Sequence, residues 1–128
     1  TLAEGYAKRA VEVTPTIPKP PALTEDGFAA AKNVVLTMAH SGLGLIYLKR
    51  QKFSEAITEL EMAVKLDVQP DPVNYFLLGL ANENASHFDD AAAAFTKCAA
   101  IPGQLQANCK AGIAEAKKKA DTELSAPK

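Results

Sequence analysis

The sequence predicts an all-α protein in which antiparallel helix pairs stack side by side. Two observations lead to this prediction. Between His40 and Phe95, one pattern of apolar and small residues occurs twice at a constant interval of 35 residues, and a fixed period of this size is typical of helical repeat proteins. In addition, all eight prolines lie outside the interiors of the predicted helices, where proline would remove backbone hydrogen bonds.

The two copies of the pattern correspond position by position. The first copy contains His40, Leu43, Gly44, Tyr47, Phe53, Ala56, Leu60 and Ala63, and the second contains Tyr75, Leu78, Gly79, Asn82, Phe88, Ala91, Phe95 and Cys98. This pattern resembles the tetratricopeptide repeat (TPR) family, which has aromatic-x-x-Leu-Gly-x-x-Tyr on a first helix and Ala-x-x-x-Phe on a second. The resemblance covers residues 37–103, with one extra residue at Pro70–Pro72. It implies helix pairs stacked in a right-handed superhelix, a fold that serves as a binding scaffold.

Two departures from the family pattern concern helix packing. His40 stands in place of the usual large aromatic residue, and Asn82 stands in place of the tyrosine. Small residues are still present where the helices of a pair must approach closely. The residues expected to pack the two repeats are Leu43, Gly44, Tyr47, Phe53, Ala56, Leu60, Leu78, Gly79, Phe88, Ala91 and Phe95.

The N-terminal region is predicted to be one helix and a proline-rich connector. Residues 2–13 have helical periodicity and end before Thr14-Pro15. This helix is either the second helix of a preceding repeat or an independent cap. Residues 14–23, here called the connector, hold four prolines and favour extended geometry. The connector is either a strap over a neighbouring surface or a spacer between helical units.

A long helix is predicted next. Thr24 can cap it, and nothing interrupts the helical periodicity from residue 25 to residue 50. Such a helix is about 40 Å long at ~1.5 Å per residue, so its first half projects beyond the repeat. Phe28, Val34 and Val35 in that half require a cover, for which the N-terminal helix is the nearest candidate.

Four shorter helices complete the chain. They are predicted at residues 54–66, 73–84, 89–100 and 105–123, the last being a polar cap. The chain is accordingly divided into an N-terminal helix with connector (1–23), an extended first repeat (24–70), a second repeat (71–103) and a C-terminal capping helix with tail (104–128).

The resemblance also implies a binding groove along the first helices of the two repeats. The groove positions are Met38, Ser41, Leu45, Leu48, Lys49, Val73, Phe76, Leu77, Leu80, Glu83 and Asn84. Because leucine dominates them, the expected occupant is an apolar peptide or helix of a partner protein. The alternative is a structural spacer or a homo-oligomerisation module, whose groove is filled by residues 14–36 or by a second copy of the chain. Lysine and asparagine, which bind chaperone carboxylates in one TPR subclass, are absent from the matching positions.

Cys98 and Cys109 are close to the turn at Pro102-Gly103, five residues before and six residues after Gly103. An antiparallel hairpin sets them at similar heights, so the sequence allows either a disulfide or two buried thiols. A disulfide would indicate an exported or periplasmic protein, and free thiols a cytoplasmic one.

Composition and motifs argue against several other functions. The 14 basic and 15 acidic residues are spread along the chain and give a net charge of -1, so no basic stripe for nucleic acid is expected. The longest apolar run, residues 43–48, is far short of the ~20 residues of a membrane span. Without a nucleotide-binding glycine loop, a catalytic triad or a zinc-ligand set, we expect no enzyme activity, cofactor or metal.

Overall fold

The computed structural model of the protein describes residues 1–125. Within this range every regular element is helical, which confirms the all-α prediction. A single 3-10 turn, Thr14–Thr16, follows the first helix. The six α-helices are α1 (Leu2–Val13), α2 (Glu25–Lys49), α3 (Phe53–Leu66), α4 (Pro72–Asn84), α5 (Phe88–Ala99) and α6 (Gln106–Ser125). Residues 126–128 of the predicted C-terminal tail lie outside the described residues.

Local sequence explains the helix boundaries. Thr24 accepts a hydrogen bond from the Gly27 amide at 2.9 Å and begins α2 as predicted. Asp71 caps α4, and Pro72 occupies the first helical position, where its missing amide hydrogen has no cost. Short turns of three residues join α2 to α3 and α4 to α5. Such short connections make the joined helices antiparallel neighbours.

Each helix packs mainly against the next helix along the chain. Further contacts join α2 to α4 and α4 to α6, whereas the backbones of α3 and α5 do not approach each other closely. These contacts place α2, α4 and α6 side by side on one side of the stack, here called the α2–α4 side. Helices α3 and α5 lie further apart on the other side.

Two apolar clusters hold the stack together. The first cluster consists of Ala56, Leu60, Leu78, Ala81 and Ala94, and the second consists of Ala91, Phe95, Cys98, Cys109 and Ala116. Most of the predicted packing residues are buried, while Tyr47, Phe53 and Phe88 are half-buried. The first cluster joins α3, α4 and α5, and the second joins α5 and α6. Stability therefore comes from contacts between successive pairs as well as within them.

Glycine allows the helices of both pairs to approach closely. A Cβ atom at Gly44 would lie 2.5 Å from Leu60 Cγ, and one at Gly79 would lie 2.5 Å from Phe95 Cε1. Leu60 and Phe95 are almost fully buried. The two glycines thus occupy equivalent surroundings, which is what the repeated sequence pattern predicts.

The N-terminal helix lies antiparallel to the second half of α2. Arg50, at the end of α2, forms an ion pair of 2.8 Å with Glu4 near the start of α1. The connector then returns along the first half of α2, where Ile17, Pro20 and Leu23 form a small cavity with Phe28. The connector thus lies over a neighbouring surface. This position agrees with the first of its two predicted roles, a strap, rather than a spacer between helical units.

The prediction that α1 covers Phe28, Val34 and Val35 is wrong. Phe28 is buried, but it is the connector that lines its cavity. Val34 and Val35 stay 51% and 45% exposed, because α1 packs against the opposite end of α2. The first half of α2 therefore presents apolar side chains to solvent.

The C-terminal helix is attached to the stack by covalent and noncovalent contacts. Cys98 and Cys109 form a disulfide with a Cα–Cα distance of 5.8 Å, joining α5 to α6. Gly112 lets α6 approach the ring of Phe95, which Gly79 of α4 also contacts closely. The sequence allowed either a disulfide or two buried thiols, and the structure contains the disulfide.

Candidate functional site

The predicted groove residues lie along the α2–α4 side but differ in exposure. Met38, Leu45 and Val73 are exposed, as are Lys49 and Asn84. Ser41, Leu48, Phe76, Leu77, Leu80 and Glu83 are half-buried. The exposed apolar members are therefore the ones available to a ligand.

Several of the predicted groove leucines pack into the protein. Leu48 and Leu77 contact the first cluster, and Leu80 contacts the second cluster together with Phe76. The apolar pattern of α2 and α4 therefore reflects burial on more than one side of each helix. Sequence periodicity does not separate such residues from a ligand-binding surface, since both require apolar side chains at the same spacing.

A cleft lies between α2, the α3–α4 loop and the start of α4. It has a volume of about 640 Å³ and is open to solvent. Its lining residues are Val34, Thr37, Met38, Ser41, Asp67, Val68, Gln69, Asp71 and Asn74. We call it the α2 cleft. Met38 and Ser41 are among the predicted groove residues; the other seven are not.

The floor of the α2 cleft is polar. Ser41 Oγ donates a hydrogen bond to Asn74 Oδ1, which links α2 to α4. Asn74 is 4% exposed and Thr37 is 8% exposed. The Thr37 hydroxyl has no hydrogen-bond partner within the described part of the protein, although buried polar groups are usually paired. The Ser41–Asn74 hydrogen bond thus connects the two helices below the cleft.

The rim of the α2 cleft is apolar. Met38 is 70% exposed, Val68 is 63% exposed and Val34 is 51% exposed. Val34 belongs to the part of α2 that extends beyond the repeat, and Val68 belongs to the loop between the two repeats. The extra residue at Pro70–Pro72 is the only sequence feature that marks this place.

Two carboxylates lie in the α3–α4 loop beside the rim. Asp67 is the C-cap of α3, and its Oδ1 accepts a hydrogen bond from the Gln69 amide at 3.1 Å. Asp71 is the N-cap of α4, and its Oδ1 accepts from the Val73 amide at 2.9 Å. The hydrogen bonds hold both side chains in place at the cleft.

At the other end of α4, the predicted groove residue Glu83 is already paired. It accepts a hydrogen bond from Lys119 Nζ of α6 at 2.5 Å. This interaction raises the pKa of Lys119 above its ordinary value. Glu83 therefore serves to attach the C-terminal helix, and it is less available to a ligand than Met38 or Leu45.

The two histidines lie in different surroundings. His40 is buried between α2 and α3, and its Nδ1 donates to Glu59 Oε2 at 2.6 Å. His87 is exposed in the turn before α5. Within residues 1–125, no three His, Cys, Asp or Glu side chains gather as metal ligands would.

Comparison with known protein families, characterised proteins and solved structures gives no match for this chain. None of the described helices combines the length and apolarity needed to cross a membrane. The functional interpretation therefore depends on the geometry of the α2–α4 side.

Proposed function

We propose that this protein is a non-enzymatic interaction scaffold with TPR-like superhelical stacking, and that it binds an apolar peptide or helix of a partner protein along the α2–α4 side. The observation that carries this proposal is the α2 cleft with its exposed apolar rim. Leu45, two turns beyond Met38 on α2, and Val73, at the start of α4, are also exposed. Apolar side chains exposed around a cleft are typical of binding surfaces.

The repeated architecture supports a scaffold role. Helices α2 and α4 lie side by side, so residues on both helices can contact one extended ligand. The disulfide and the Glu83–Lys119 pair hold the C-terminal end of this surface in place. A rigid surface loses little conformational entropy when it binds, which favours affinity.

Substitution of Leu45 by glutamate tests the proposal. Leu45 is 38% exposed on α2, and Met62 is 37% exposed on α3, on the other side of the stack. Leu45→Glu and Met62→Glu are therefore matched changes that should each lower the free energy of unfolding by a similar amount, about 1 kcal/mol. Leu80 is unsuitable for such a test because it packs against the second cluster.

Affinity capture from extracts of the source cell, followed by mass spectrometry, compares the variants. The wild type and Met62→Glu should retain the same partner, and Leu45→Glu should lose it while its circular dichroism stays unchanged. Equal capture by all three proteins would contradict the proposal. Loss of capture by both variants would show that the α2–α4 side is not the specific surface.

Self-association is a second candidate function, favoured by a different surface. Leu2 and Tyr6 are 74% and 68% exposed on one face of α1, so this face can contact a second copy of the chain. The connector does not line the α2 cleft, since Ile17, Pro20 and Leu23 contact the Phe28 side of α2. Light scattering of the wild type and of Tyr6→Ser tests this candidate: a dimer that Tyr6→Ser converts to a monomer would support it.

The disulfide is evidence on the cellular compartment in which the protein acts. Structural disulfides persist in oxidising environments and are rare in the cytosol. We therefore propose that the protein is exported and acts outside the cytoplasm. Intact mass of protein alkylated in the source cells before lysis tests this proposal, because a cytoplasmic protein would carry two alkyl groups.

A further inference from the structure

The α2 cleft has an unbalanced charge. Asp67 and Asp71 contribute two carboxylates, and none of its nine lining residues is a lysine, arginine or histidine. In the part of the chain that the structure describes, neither carboxylate takes part in an ion pair. Their only hydrogen bonds there come from the amides of Gln69 and Val73. The negative charge at the cleft is therefore available to a ligand.

The helix dipoles have opposite effects on the negative charge of the two carboxylates. Asp71 lies at the N-terminus of α4, where the positive end of the dipole partly balances its charge. Asp67 lies at the C-terminus of α3, where the negative end of the dipole adds to its charge. A cation is therefore attracted most strongly to the Asp67 side of the loop.

The apolar rim limits the kind of cation that fits. Val34, Met38 and Val68 form exposed walls next to the carboxylates. A small hydrated ion would leave these walls in contact with water. Lysine and arginine side chains suit both features, because their aliphatic stems pack on apolar surface while the charged group reaches a carboxylate. The volume of about 640 Å³ leaves room for a neighbouring apolar side chain as well.

We propose that the α2 cleft is the specificity pocket of this scaffold, and that it accepts a protein segment carrying a lysine or arginine beside an apolar side chain. This inference rests on the function proposed above and adds the chemistry of the partner. Leu45 and Val73 provide the apolar continuation of the surface, and Asp67 and Asp71 select the charge.

A displayed library of random short peptides tests the inference even while the partner protein is unidentified. Peptides enriched on the wild-type protein should contain lysine or arginine next to an apolar residue more often than the input library does. One enriched peptide is then synthesised, and its Kd is measured for the wild type and for the variants. Its affinity should fall as salt concentration rises, since surface charges are screened.

The double variant Asp67→Asn/Asp71→Asn removes the charges with little change of structure. Asparagine keeps the carbonyl oxygen that accepts the amide hydrogen bonds, and it is as good an N-cap as aspartate. This variant should bind the peptide about threefold to tenfold more weakly. The matched control is Asp89→Asn/Asp90→Asn, which removes two exposed carboxylates from the start of α5 and should leave the Kd unchanged.

The possible failures are distinguishable. Apolar peptides enriched without lysine or arginine, and bound equally by the wild type and Asp67→Asn/Asp71→Asn, would overturn the charge selection while leaving the scaffold function intact. If no peptide is enriched, or if Leu45→Glu binds the peptide as well as the wild type, the proposed binding surface is itself wrong and the inference falls with it.

Discussion

Gln51 and Ser86, 35 residues apart, adopt the same left-handed backbone conformation, with φ angles of 61° and 63°. The hydrogen bonds around them also correspond. The amide of Lys52 donates to the Tyr47 carbonyl at 2.9 Å, and the amide of His87 donates to the Asn82 carbonyl at 2.8 Å. The repeat is thus present in the backbone of the two turns, although their side chains differ.

Replacement of Gln51 or Ser86 by glycine should stabilise the protein. A residue with a Cβ atom in the left-handed region has a conformational cost of about 1–2 kcal/mol, which glycine avoids. Part of this gain is lost because glycine has more freedom in the unfolded chain. We expect Gln51→Gly and Ser86→Gly each to raise the free energy of unfolding by about 0.5–1 kcal/mol in urea titrations.

Ser86→Ala is the control for this prediction. It removes the hydroxyl group but keeps the Cβ atom and the strained φ angle, so it should not stabilise the protein. If Ser86→Ala stabilised the protein as much as Ser86→Gly, loss of the side chain rather than relief of backbone strain would be the cause.

Alanine substitutions at two glycines of α2 should change the free energy of unfolding in opposite directions. At Gly44 the new methyl group would meet Leu60, which is fully buried, so Gly44→Ala should lower the free energy of unfolding by about 1–3 kcal/mol. At Gly42, apart from its chain neighbours and the backbone of α2 itself, no heavy atom lies within 4 Å of the new Cβ. Gly42→Ala should therefore raise the free energy of unfolding by about 0.5–1 kcal/mol through helix propensity.

Thermal or urea unfolding of the two variants checks this contrast. Because both changes add one methyl group to the same helix, a general effect of alanine would shift both variants in the same direction. Stabilisation by Gly44→Ala would show that the close approach of α2 to α3 does not depend on this glycine.

The helices and their pairing could be predicted because they depend on local spacing. The period of 35 residues placed Gly44 and Gly79 in equivalent contacts, and the distances of Cys98 and Cys109 from the turn at Pro102-Gly103 allowed the disulfide that the structure contains. Each of these features follows from residues close in sequence or from an antiparallel hairpin.

The α2 cleft could not be predicted because it depends on how distant segments meet. Its rim joins Val34, in the extension of α2, to Val68, in the α3–α4 loop, and its carboxylates lie in that loop. In the sequence, the prolines of the loop indicate only a helix break. The spacing of apolar residues also does not distinguish Leu77 and Leu80 from Leu45. Leu77 and Leu80 pack against the apolar clusters, whereas Leu45 is exposed.

The attachment of α1 should depend on pH through Glu4. Hydrogen bonds from Arg50 and then from Lys8 lower the pKa of Glu4 from 4.5 to about 2. Since the folded-state pKa is the lower one, the contribution of Glu4 to stability is present above pH 4.5 and is lost as the pH falls toward 2. The wild type should therefore be more stable than Glu4→Gln near neutral pH, and the difference should vanish in acid.

Unfolding free energies of both proteins, measured across this pH range, check the prediction. Glu12→Gln removes another carboxylate from α1, one whose nearest cation is 3.9 Å away in an exposed pair, and it controls for the change of net charge. A difference between the wild type and Glu4→Gln that stays constant down to pH 2 would contradict the assigned pKa.

Removal of the disulfide should loosen the C-terminal helix. The bridge closes a loop between residues 11 positions apart, and a disulfide of this kind contributes about 2–4 kcal/mol, in part by restricting the unfolded chain. We expect Cys98→Ala/Cys109→Ala to lower the free energy of unfolding by that amount. Alanine suits both positions because they are fully buried in the second cluster and a polar replacement would be left without a partner.

Hydrogen exchange shows where the stability is lost. In the disulfide-free variant, amide protection should fall most in α6, while α2 and α3 keep their protection because they contact neither cysteine. The Glu83–Lys119 pair and the packing of Gly112 on Phe95 still attach α6 to the stack, so α6 should exchange faster without unfolding the whole protein. Uniform loss of protection along the chain would instead show that the stack unfolds as a single unit. The disulfide would then stabilise α2 and α3 as much as it stabilises α5 and α6, the helices it joins.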